Sequence, residues 1–70
     1  MKITYDSEAD ALYIRFRDGK IEESDEVSEG FIVDYDTDGK PIALEILDAL
    51  DILGGKQEIA VDLVKTGAIK

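Results

Sequence analysis

Residues 34 to 45 read Asp34-Tyr35-Asp36-Thr37-Asp38-Gly39-Lys40-Pro41-Ile42-Ala43-Leu44-Glu45, and two folds compete for this stretch. As an EF-hand calcium loop, its ligand positions 1, 3, 5, 7, 9 and 12 are Asp34, Asp36, Asp38, the Lys40 carbonyl, Ile42 and Glu45, with Gly39 at the sharp turn. As a β-hairpin, Asp38-Gly39 is the turn dipeptide between two strands. The flanks decide between them. A calcium loop is entered and left by helices, whereas Phe31-Ile32-Val33 upstream and Ile42-Ala43-Leu44-Glu45-Ile46 downstream have β-branched or alternating apolar chemistry. Pro41 also removes a backbone donor from the second half of any such loop.

The hairpin reading passes a register test. A two-residue type I′ turn at Asp38-Gly39 sets Thr37 opposite Lys40, Tyr35 opposite Ile42, Val33 opposite Leu44 and Phe31 opposite Ile46, which makes one face apolar. A slip of one residue would set carboxylates into both faces. In the hairpin, Glu45 lies roughly 20 Å along the strand from Gly39, far outside the about 2.3–2.6 Å of a calcium–oxygen bond. A calcium-responsive module using only Asp34, Asp36 and Asp38 is the alternative functional reading.

Working outward, Lys2 to Tyr5 and Ala11 to Arg17 form a first hairpin around the acidic loop Asp6-Ser7-Glu8-Ala9-Asp10. Pairing Tyr5 with Leu12 gathers Met1, Ile3, Tyr5, Leu12, Ile14 and Phe16 on one face. Tyr13, Arg15 and Arg17 alternate on the other, a composition that suits either an interface or a surface strand with acidic neighbours. Asp18-Gly19 marks another turn, and Lys20 to Val27 is polar enough to be a charged edge or connecting strand. Asp48 can cap a short helix through Leu53, ended by Gly54-Gly55. Gln57 to Lys65 admits a helical stripe or a strand alternating at Ile59, Val61 and Leu63; a helix ended at Gly67 is the expected form.

The 70 residues make one domain, 1–70, with a β-rich part over 1–50 and a C-terminal segment over 51–70. So short a chain buries only about 60% of its unfolded surface. It has neither cysteine nor histidine, so disulfides and the usual nitrogen and sulfur zinc sites are excluded. Self-association is the remaining common aid, and a homodimer is expected.

Seventeen acidic and eight basic residues give a net charge of −9, which repels nucleic acid and anionic membranes and favours a basic protein partner. With no apolar run of membrane length and no signal peptide, the expected location is the cytoplasm. Without histidine or cysteine the usual bases and nucleophiles are missing, and no catalytic, cofactor or metal residues can be named. Asp6, Glu8 and Asp10 are the nearest approach to a carboxylate cluster, and turn capping accounts for them.

In three blocks, Tyr5 to Ile14, Gly30 to Asp36 followed by Asp38-Gly39, and Leu44 to Ala49, the chain resembles the small prokaryotic proteins called domain of unknown function 2283, which include YuzE-like members. The resemblance covers residues 1 to 50. It implies a compact antiparallel sheet with a helical element and no catalytic residues to carry over. Because some members are encoded beside small toxin-like proteins, it also implies an antitoxin-like or accessory binding role. The expected architecture is α+β: an antiparallel β-meander of about four strands with a C-terminal helical segment over one face. The expected function is a non-enzymatic protein-interaction module.

Overall fold

The computed structural model describes residues 1–64. Five strands, β1 (Lys2–Asp6), β2 (Ala11–Arg15), β3 (Glu23–Ser28), β4 (Phe31–Tyr35) and β5 (Pro41–Leu47), precede one short helix, α1 (Ala49–Ile52). They form a single antiparallel sheet in the order β1-β2-β5-β4-β3. The fold is thus the expected α+β, with five strands and a helix of only four residues. Strands β3 to β5 are a meander, while the β1–β2 hairpin joins it through β2 and β5. The polar stretch after Gly19 therefore crosses to the far edge as β3, where Glu23, Asp25 and Glu26 make it a charged edge strand.

Register follows the alternation of apolar side chains. Ile3 pairs with Ile14 and Tyr5 with Leu12; Leu12 then faces Ile46 and Ile14 faces Leu44; Phe31 and Val33 complete the two rows. Directly opposed residues share a face, so one side of the sheet is apolar across four strands. At one end of that face Leu12, Ile46 and Ala49 are buried together, with Tyr5, Ile14, Phe31 and Leu44 packed against them.

The turn at residues 36–40 differs from the expected type I′ form. Asp38 does not have positive φ, and Gly39 alone does, at 79°. The Gly39 amide donates to the Asp36 carbonyl at 3.0 Å and the Asp36 amide to the Lys40 carbonyl at 2.8 Å, the pattern of a three-residue loop with glycine in the left-handed position. Its cause is Asp36, whose Oδ1 accepts the amides of both Asp38 and Lys40 at 2.9 Å. Tyr35 consequently opposes Pro41 rather than Ile42, and Asp36 rather than Thr37 meets Lys40. A bulge then restores Asp34 to Ala43 and Val33 to Leu44. The two irregularities cancel because a slip maintained along the strand would expose the apolar face.

Two expectations for the C-terminal part are corrected. Asp48 sits in the left-handed region and makes no side-chain cap to α1. Residues 57–64 form no helix: Ile59, Val61 and Val64 are poor helix formers, and a stretch this short needs a packing surface to be helical. Gly67, its expected terminator, lies outside the described residues. Among the described residues the helical cover is α1 alone, over one end of the face.

Candidate interaction surface

The apolar face is the chemically distinctive surface of this molecule. Ile3 and Phe16 are each more than a third exposed, and Ile14, Phe31, Val33 and Leu44 are only partly buried. A single sheet has two sides and, among the described residues, α1 is the only helix stacked on this one, while at the other end of β5 Ile42 is fully buried with the Gly19 backbone against it. The opposite side is mixed: Thr4, Tyr13, Arg15, Asp34 and Glu45 share it with Ala11, Ile32, Ala43 and Leu47. The small Ala43 is buried there beside Arg15 and Asp34.

Charge is divided between the two ends of the strands. All five Lys and Arg residues of the first 55, namely Lys2, Arg15, Arg17, Lys20 and Lys40, lie where β1, β3 and β5 begin and β2 and β4 end. The other end carries Asp6, Glu8, Asp10, Glu29, Asp48 and Asp51, and its basic residue is Lys56, which follows α1. Asp10, Asp48 and Asp51 border a shallow open depression there, together with Leu50, Gly54 and Gly55.

Asp10 organises this acidic end. Held at a φ of 51°, it accepts the Tyr5 hydroxyl at 2.7 Å and the Leu50 amide at 2.9 Å on Oδ1, while its carbonyl accepts the Ala49 amide at 3.0 Å. Asp10 thus caps α1 in place of Asp48. The bond to Asp10 also holds the Tyr5 hydroxyl above its ordinary pKa, with desolvation and the Asp10 charge acting the same way. Asp6 turns the loop by accepting the amides of Glu8 at 3.0 Å and Ala9 at 3.2 Å. The three loop carboxylates are therefore not one site: Asp6 and Asp10 each serve the backbone, as capping residues do.

The other sequence candidates are also engaged locally. Asp34 accepts the Ser24 hydroxyl at 2.5 Å, and Asp36 is paired with Arg17, which also donates to the Pro41 carbonyl at 2.8 Å. Backbone donors, chiefly Lys40, with Arg17 adding to them, hold the Asp36 carboxyl below its usual pKa. Arg15 donates to the Tyr13 hydroxyl at 3.2 Å and to the Gly19 carbonyl. The two arginines tie down the β2–β3 connection and the β4–β5 turn. Among the described residues no three acidic side chains are gathered in a way that could hold a metal ion, and the Asp34 to Glu45 stretch is a hairpin flanked by strands.

The sequence signal missed the capping role of Asp10, since its partner lies 40 residues away. Its position immediately before β2 and its tolerance of positive φ were the available hints.

Residues 2–49 match the family described as "Protein of unknown function (DUF2283)". The chain belongs to the DUF2283 family. No curated protein and no solved structure matches it. The DUF2283 match spans all five strands and the buried Ala49, so the family resemblance coincides with the sheet, while Leu50 to Val64 lie beyond it. Among the described residues no helix is long and apolar enough to cross a membrane.

Proposed function

We propose that this protein is a non-enzymatic, homodimeric interaction module of the cytoplasm, in which two copies cover each other's apolar sheet face and the acidic ends receive a basic partner protein. An antitoxin-like or accessory role fits such a module. The observation that carries the reading is the apolar face of Ile3, Ile14, Phe31, Val33 and Leu44, which stays incompletely buried although, among the described residues, α1 covers one end of it and the Gly19 backbone packs on Ile42 at the other end of β5. A contiguous apolar patch on a small chain marks an association surface, and a single-layer sheet lacks the second layer that domains ordinarily use. The acidic end supplies partner choice, because complementary charge governs selectivity more than affinity.

Salt separates the two associations. Each copy carries −9, so added salt screens repulsion and strengthens the dimer, while it weakens binding of a basic partner. Sedimentation at 20 mM and about 500 mM salt reads the first, and binding to a lysine-rich helical peptide over the same range reads the second. A monomer at every salt concentration would refute the dimer, and peptide binding that is absent or indifferent to salt would refute the acidic docking end.

A further inference from the structure

We infer that residues 57–63 are an exchanged arm, which leaves its own copy and pairs as an antiparallel sixth strand with the free edge of β1 in a second copy of this chain. The inference rests on the proposed dimer and names the backbone pairing that completes it.

The two edges of the sheet are unlike. β3 exposes Glu23, Asp25 and Glu26 and carries a bulge between Glu26 and Ser28, both of which discourage pairing. β1 reads Lys2-Ile3-Thr4-Tyr5-Asp6, without a bulge in its pairing to β2, and carries charge only at its two ends, Lys2 and Asp6. Among the described residues its edge is the one more open to another strand.

The segment with matching chemistry is already beside it. The Gln57 side chain donates to the Tyr5 hydroxyl at 3.5 Å, which places the start of the segment at the acidic end of β1 and sends an antiparallel strand back along it. Setting Gln57 opposite Tyr5 puts Ile59 opposite Ile3 and Val61 opposite Met1, so the apolar residues fall on the apolar face. On the other face Glu58 meets Thr4 and Ala60 meets Lys2, with Glu58 and Asp62 as the two diagonal neighbours of the Lys2 ammonium. A shift of one residue would reverse the faces. Against the acidic β3 edge, the same Glu58 and Asp62 would be repelled.

Within one copy the segment makes no ladder: Ile59 is 44% exposed, Val61 57% and Leu63 93%. Gly54 and Gly55, at φ of 74° and 83°, form the hinge between α1 and the arm, and the site an arm takes in its own copy is the site it takes when exchanged. Area favours the exchange. Five strands of about five residues make a face of about 24 by 17 Å, roughly 400 Å², which is half of the about 800 Å² per partner of a standard interface. Two arms crossing the interface make up the difference.

The chain contains no cysteine, so a Thr4→Cys/Glu58→Cys double variant of the full chain reports the pairing without background. It is oxidised under conditions where the protein is dimeric and read by intact mass and peptide mapping, beside a Thr4→Cys/Asp62→Cys variant that is out of register. The expected result is a covalent dimer with 4–58 bridges, at least fivefold above the control. A 4–58 bridge within one chain would overturn the exchange by showing that the arm docks on its own copy. Bridging no greater than the control would overturn the strand pairing altogether. Native mass of the unmodified chain distinguishes these failures from failure of the dimer: a dimer without 4–58 bridges leaves the apolar-face association standing and removes the arm from it.

Discussion

Asp10 accepts the Leu50 amide across 40 residues of chain, at 2.9 Å, with the same carboxylate oxygen that receives the Tyr5 hydroxyl. The Asp10 side chain thereby ties the first hairpin to the short helix α1. Ala49, whose amide meets the Asp10 carbonyl, is pressed against Leu12 and Ile46, so the polar anchor and the buried cluster occupy the same end of the sheet.

Replacing Asp10 by Ala removes an acceptor from an α1 amide and leaves a β-carbon at positive φ, with a loss of about 1–2 kcal/mol in the range of helix-cap deletions. Asp10→Asn keeps both the acceptor and the tolerance of positive φ, and its loss stays below about 0.5 kcal/mol, as expected where a cap is conserved. Urea denaturation of the two variants at one protein concentration checks the ordering. Equal losses would show that the charge, rather than the hydrogen bonds, makes the anchor.

Asp36 predicts an acid-labile turn. Its folded pKa is depressed, first by the Lys40 amide, then by the Asp38 amide and Arg17, so its contribution is fully present above the unfolded carboxylate pKa. That contribution is lost as pH falls through the lower, folded value. Asp36→Asn retains an oxygen for the two amides but not the charge opposite Arg17, and its stability should vary less steeply with pH below about 4. Thermal melts of both proteins from pH 2 to 7 measure the slopes; parallel curves would remove Asp36 from the acid response.

The hairpin shows how far the sequence could be read. Phe31 opposite Ile46 and Val33 opposite Leu44 were legible because a period of two leaves one way to build an apolar face. The turn was not, because Asp-Gly suits several loops and the choice was made by the side chain of Asp36, two residues earlier, bonding to Asp38 and Lys40. Distance hid the Asp10 cap in the same way. At the C-terminal end, Ile59, Val61, Leu63 and Val64 satisfy both a helical and an extended period, so pattern alone could not decide. The apolar face was legible from its alternation; its incomplete cover was not, since that depends on how little of residues 50–64 becomes helix.

Gly39 supplies the positive φ of the three-residue loop, and nothing lies within 4 Å of where a β-carbon would project. Gly39→Ala therefore costs backbone strain without a clash, about 1–2 kcal/mol. Gly39→Asn costs less than Ala, because asparagine visits the left-handed region more readily. Chemical denaturation gives the order Gly, Asn, Ala. An alanine variant as stable as the parent would mean that the loop can revert to another turn.

Leu44 lies at the centre of the apolar face, on the middle strand between Ile14 and Val33, while its strand neighbour Glu45 points to the other side opposite Ile32. Lysine at Leu44 sets an ammonium where two copies meet and raises the dimer dissociation constant by about a hundredfold, the scale on which a central interface residue acts. Lysine at Ile32 falls between Glu45 and Glu26, where it gains carboxylate neighbours and leaves the dimer intact. Far-UV circular dichroism establishes that both variants retain the sheet, and sedimentation then compares their association. If Leu44→Lys is folded and still dimeric, the copies meet elsewhere; if both variants are monomeric, dimerisation does not discriminate between the two faces, and the assignment of the apolar face as the interface falls.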